Sequence, residues 1–234
     1  MLKFILALLL CLPVYGQVAV TYLQATSSAS DATSYTFSSQ NIGTASSDRD
    51  IVVAFHSRLA GSVNPTVTVT VAGESATTHV SIRNAAANTI LVGIAKVRVT
   101  SGTTGDVVVN FNGVTSSRCG IGMWHVTGAA TGAPYDSDSS TASPPSATID
   151  VPDDGVIIAA ATNGNAATTT WTNATERYDA QMESVTPYSG ADATHASAAS
   201  VTVTATFTSA LQEAFAVISL GPPTVSTRRI YVIN

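Results

Sequence analysis

The sequence predicts an all-β fold, an antiparallel β-sandwich of jelly-roll-like type, and three observations carry that expectation. Strand-length segments alternate strictly between apolar and hydroxyl residues. Lys occurs only at Lys3 and Lys96, while Thr, Val and Ala recur throughout, a composition that favours strands over helices. No stretch shows the 3.6-residue apolar period of an amphipathic helix.

The strands can be justified in chain order. Segments 18–25 and 34–39 open the set. IVVAF at 51–55 is apolar on both faces, as expected of a central covered strand. TVTVTV at 66–71 and DVVVNFN at 106–112 alternate with period two, the signature of half-buried strands. Segments 90–99, 119–127 and 146–151 follow, then GVIIAAA at 155–161, again apolar on both faces. VTVTATFT should turn Val201, Val203, Ala205 and Phe207 inward and Thr202, Thr204, Thr206 and Thr208 outward. Segment 214–220 closes the series.

The halves echo one another. DRDIVVAFHSR, VTVTVAGESATTHVSI and RCGIGMWHVTG reappear in looser form as DDGVIIAAATNG, TTTWTNATERYDAQM and EAFAVISLG. Such a repeat admits one large sandwich with pseudo-symmetric sheets, or two tandem immunoglobulin-like domains joined at residues 131–146. A single domain over 17–222 is preferred, because the apolar faces of 51–55 and 155–161 can cover one another only within a shared core.

The ends of the chain read differently. MLKFILALLLCLPVYG, residues 1–16, has one basic residue and a short apolar run, a secretory-signal-like pattern too short for a lasting membrane span. Its removal leaves Cys119 as the single cysteine, without a disulfide or Cys-based zinc site. At the other end, Pro222-Pro223 interrupts the pattern and TVSTRRIYVIN resumes it, so 223–234 reads as a C-terminal strand or extension. Arg228, Arg229, Ile230, Tyr231 and Val232 are its candidate assembly residues, pairing with an edge of the same sandwich or with a neighbouring subunit.

Ten basic residues against fifteen acidic ones, a net charge of -5, give no electrostatic footprint for nucleic acid. The densest chemistry is WTNATERYDAQ at 171–181. With TNAT as a turn, Tyr178, Ala180 and Met182 face a core, while Arg177, Asp179 and Gln181 form a polar row. Glu176 and Asp179 then point to opposite faces, unsuited to the facing carboxylates of a glycosidase. Trp171, Asn173, Arg177 and Tyr188 are the candidate glycan-binding residues, an aromatic platform flanked by planar polar groups.

Trp124 is the rival aromatic. Gly120 and Gly122 share its face and leave room for packing between sheets, with Cys119, Ile121 and Met123 buried on the opposite face. His56, His79, His125 and His195 are scattered and read as surface or strand-end residues without metal-ligand spacing. Asp136 and Asp138, with Asp150, Asp153 and Asp154, are the candidates for a loop Ca²⁺, although Asp-Asp-Gly at 153–155 is also what a tight turn requires. No cofactor is expected, and no nucleophile elbow or paired carboxylates identify a reaction.

Across residues 18–222, DRDIVVAFHSR, RCGIGMWHVTGAA and WTNATERYDAQMESVTPYSGADATHASAASVTVTATF resemble a family of β-sandwich proteins of tailed bacteriophages and prophages, tail-fibre and minor virion proteins among them. The resemblance implies a non-enzymatic virion component whose partners are further copies of itself, other virion proteins and a cell-surface glycan. The alternative expectation is a secreted carbohydrate-binding or adhesive module.

Overall fold

The computed structural model describes residues 16–85 and 89–224. Most of the signal-like segment and the candidate assembly residues Arg228, Arg229, Ile230, Tyr231 and Val232 lie outside the described residues.

The described chain is all-β and antiparallel, without helices. Eight strands make up its first half: β1 (Ala19–Ser28), β2 (Ser34–Asn41), β3 (Asp50–Leu59), β4 (Thr68–Val71), β5 (Glu74–Asn84), β6 (Ile90–Arg98), β7 (Thr104–Asn110) and β8 (Ser116–Thr127). They form one nearly closed, barrel-like sheet in the order β1-β8-β3-β6-β5-β4-β7-β2. Closing a sheet on itself removes most of its edges.

The second half supplies β9 (Asp136–Ser140), β10 (Ser146–Val151), β11 (Gly155–Asn163), β12 (Thr169–Thr172), β13 (Thr175–Gln181), β14 (Pro187–His195), β15 (Ala199–Phe207) and β16 (Glu213–Leu220). These form two smaller sheets, β13-β14-β11-β16-β9 and β10-β15-β12. Adding eight to each strand number of the first half reproduces the second: β1-β8-β3-β6-β5 becomes β9-β16-β11-β14-β13, and β2-β7-β4 becomes β10-β15-β12. The halves part at one joint. Val69 pairs with Ala76 to link β4 and β5, whereas β12 and β13 share no ladder and the Asp179 carboxylate instead accepts the Thr169 N–H at 2.9 Å.

Period-two alternation decides what each strand buries. On β3, Ile51, Val53 and Phe55 turn into the core of the first half, and on β11, Ile157, Ala159 and Ala161 turn into that of the second. The opposite faces of the same strands, Val52 and Ala54 with Val156, Ile158 and Ala160, meet in a central core. The two apolar runs do cover one another. Each half also encloses a core of its own, so the sheets stack in four layers around three apolar clusters. Each fully buried Val or Ile contributes roughly 1.5–3 kcal/mol, so continuous central strands concentrate the stability of the molecule.

Two local departures from the sequence reading have clear causes. Residues 136–140, within the stretch considered as a linker, form β9 and pair with β16, a strand that no apolar alternation announces because DSDSS contains no apolar residue. His56 is not at the surface. It sits mid-strand on β3, fully buried, because its even position puts it on the face turned to the central core.

Candidate functional site

Polar chemistry gathers in and around the central core, where the halves meet. Tyr178 from β13 enters this layer with its ring edge over Gly122 of β8 and Gly190 of β14. A Cβ at Gly122 would lie 2.2 Å from the Tyr178 hydroxyl oxygen, and one at Gly190 would lie 2.4 Å from the ring. The expected space beside Trp124 is thus occupied by Tyr178, and Met182 and Tyr188 fill the corresponding space over Gly120. Trp124 is fully buried, and Cys119, Ile121 and Met123 line the opposite core as expected. The Tyr178 hydroxyl lies 2.9 Å from His56 Nε2. Burial pushes the His56 imidazole down to about 3, and burial, with Tyr188 and Tyr22 nearby, raises the Tyr178 phenol well above its ordinary value.

Two buried carboxylates occupy this layer, each gripped by an arginine. Asp192 accepts both Arg177 Nε at 2.8 Å and Arg177 Nη2 at 2.7 Å, and also the Trp124 indole N–H at 2.8 Å. Its partner reaches it through a bulge. Register shifts between Glu176 and Tyr178, so the inserted Arg177 lies beside Asp192 rather than in a row with Asp179, which turns instead to Thr169. The strand-alternation reading of Arg177 and Asp179 is corrected by that single extra residue.

Asp50 is the second carboxylate. It accepts Lys96 Nζ at 3.0 Å and Arg98 Nε at 2.8 Å. These groups border an open pocket of about 380 Å³ at the end of the central layer, beside the chain crossing from β8 to β9, with His79, Ser75, Thr77 and Thr131 on its walls. Burial and the Lys96 ammonium hold His79 below its usual value, while the hydrogen bond to Asp50 raises Arg98.

The residues singled out from the sequence are dispersed. Tyr188 is only 3% exposed and belongs to the central core, whereas Trp171 packs against the core of the second half, its indole N–H donating to Ser189 Oγ at 2.8 Å. The two rings share no surface. Asn173 occupies a left-handed turn position, φ 61°, and donates to the Thr202 carbonyl, as the turn reading of TNAT implies. Asp136 accepts the N–H groups of Ser137 and Asp150, and Asp138 accepts that of Ser139. Among the described residues no group of three or more His, Cys, Asp or Glu side chains is arranged to hold a metal. Asp154 has φ 55°, and the Gly155 N–H donates to the Pro152 carbonyl, so Asp-Asp-Gly forms the expected turn.

Sequence reasoning overlooked Asp50, Lys96 and Arg98. The available signal was Lys96 and Arg98 themselves, two cations, one of them among only two lysines in the chain, set in the otherwise apolar segment 90–99. Reasoning from sequence also overlooked Arg49, which is wholly buried and donates to the carbonyls of Val99 (2.6 Å), Ile42 (3.2 Å), Gly43 (2.8 Å), Gly102 (2.9 Å) and Ser101 (2.7 Å). No family model, curated protein or solved structure matches this chain.

Proposed function

We propose that the chain is a non-enzymatic structural component of tailed-phage type, a doubled jelly roll that takes part in virion assembly. One observation carries this reading. The order 1-8-3-6, continuing through 5-4-7-2, is the connectivity of a jelly roll, an architecture used by viral capsid proteins and lectins; the first half has it unbroken, and the second repeats it except for the missing β12–β13 ladder. The resemblance of residues 18–222 to phage β-sandwich proteins points the same way.

Two further features support it. Arg177 and Asp192 form a matched pair in the central layer, which suits a rigid building block. Of the six edge strands, β1, β2 and β12 carry no charged residue, whereas β9, β10 and β13 do, and exposed edges ordinarily use charge to block pairing with other chains. The three uncharged edges are the ones that favour lateral assembly.

A secreted carbohydrate-binding module is the second reading, favoured by the pocket bordered by Asp50, Lys96 and Arg98. Density-gradient fractionation of medium from the source cells separates the two. The virion reading expects the chain to sediment with nucleic-acid-containing particles, and recovery only as free soluble protein would overturn it.

A further inference from the structure

The pocket beside the β8–β9 crossing holds a cation with donors to spare. Lys96 is 6% exposed, and among the described residues its ammonium donates one hydrogen bond, to Asp50 Oδ2 at 3.0 Å. An ammonium has three N–H donors, so two remain to face the open pocket. Arg98 already takes both oxygens of Asp50, at 2.8 and 3.2 Å, and adds the Ala129 carbonyl at 3.4 Å. Asp50 therefore neutralises one of two cations. His79 is held towards its neutral form by burial and by Lys96, so the pocket carries a single positive charge in excess. Asp48 does not line this pocket; it faces Arg98 from the adjoining cleft, where it accepts the Gly128 N–H at 2.9 Å, and its charge acts on that guanidinium, which leaves Lys96 as the cation the pocket itself presents.

We propose that this pocket binds the carboxylate of an acidic sugar residue, with Lys96 Nζ and Arg98 as its charged donors and the surrounding hydroxyls meeting the sugar ring. A carboxylate carries one negative charge and matches the excess, whereas a phosphate monoester carries about −1.5 to −2 and would leave net negative charge beside Asp50. The side chains of Ser75, Thr77 and Thr131 bring donor and acceptor hydroxyls to the pocket walls. Its volume of about 380 Å³ falls at the small end of ligand sites, in keeping with one sugar residue rather than a long chain. The inference does not depend on whether the chain is a virion component, because it stands on the pocket alone.

Titration calorimetry with glucuronate, glucose, acetate and inorganic phosphate tests it on the full chain. Glucuronate should bind about tenfold or more tightly than each of the other three, since it alone joins a single carboxylate to a hydroxylated ring. Lys96→Met removes the spare donors and should lower glucuronate affinity by at least about tenfold. Thr77→Trp provides a check that leaves the charges alone: Thr77 is exposed and pairs across the ladder with Lys96, so an indole there closes the pocket without touching a core. This variant should keep the parent melting temperature and lose glucuronate binding. Equal affinity for glucose overturns the role of the carboxylate, and equal affinity for acetate or phosphate overturns the sugar. Undiminished binding in Thr77→Trp places the ligand elsewhere and defeats the proposal.

Discussion

His56 Nε2 and the Tyr178 hydroxyl meet at 2.9 Å across the central layer, joining β3 of the first half to β13 of the second. Neither ring touches solvent freely, and His56 Nδ1 has no hydrogen-bond partner among the described residues. A protonated imidazole at this position would be a buried cation without a carboxylate beside it. The native fold therefore requires the neutral ring.

That requirement makes stability depend on pH. His56 titrates near 6.5 when unfolded and near 3 when folded, so between those values the unfolded chain binds the additional proton. Stability attributable to this group is intact above about pH 6.5 and falls by roughly 1.4 kcal/mol per pH unit as acidity increases towards pH 3. His79 and His125, also held down by burial, act in the same sense. Urea unfolding from pH 7.5 to 5.5 should show a steeper loss in the parent than in His56→Gln, with the slopes differing by about half a proton on average and approaching one at the acidic end. Parallel slopes would contradict the assignment.

The Tyr178 ring and Gly122 make a second, steric prediction. A methyl group at Gly122 would overlap the phenol, so Gly122→Ala should destabilise the protein by about 1–3 kcal/mol, the usual range for overpacking. Tyr178→Ala opens a cavity and is costly alone, but it also removes the overlap. Adding Gly122→Ala to that background should cost much less than in the parent, a coupling that denaturant titration of all four forms would read directly. Simple additivity would mean that the two positions do not meet.

Arg49 supports the first half differently. Its guanidinium uses several donors to hold the loop before β3 against the loop after β6, through carbonyls that have no carboxylate competing for them. Lys has one terminal nitrogen and three donors, and cannot span the same acceptors. Arg49→Lys should therefore cost about 3 kcal/mol or more, and hydrogen exchange should quicken first in residues 42–48 and 99–103. A near-neutral variant would show that water replaces the guanidinium without penalty.

Period-two alternation made much of the fold legible. VTVTATFT buries Val203, Ala205 and Phe207 as read, and the doubly apolar runs 51–55 and 155–161 are the central strands β3 and β11. The echo between halves was legible because duplicated strand order leaves similar apolar runs. Long-range polar pairing was not. Asp50 and Lys96 are 46 positions apart, Trp124 and Asp192 are 68, and no local pattern relates such pairs. The bulge that delivers Arg177 to Asp192 was equally hidden, since one inserted residue reverses which face every neighbour appears to occupy. Aromatic content suggested Trp171 with Tyr188 as a pair, but β12 and β14 lie in different sheets and carry the two rings into different cores.

The last prediction concerns the division between the halves. Each half retains a core when considered alone, Phe55 and Ile121 in one, Phe215 and Val217 in the other. The central face is another matter: separation would expose Val52, Ala54, Ile94 and Trp124 from the first half, and Val156, Ile158, Tyr178 and Ile218 from the second. It would also unpair Trp124 from Asp192 and His56 from Tyr178. A continuous apolar sheet face of this kind does not remain free in water. Fragments 17–130 and 131–224, produced separately, should self-associate or aggregate, and co-expression should yield a soluble one-to-one complex with tryptophan fluorescence like that of the parent. Substituting Trp124→Ala in the first fragment should weaken recovery of that complex, because it removes both the largest side chain of the shared face and the indole donor to Asp192. Two fragments that each remain monomeric at tens of micromolar and ignore one another would show instead that the halves are independent sandwiches, with the central core contributing little to the stability of either.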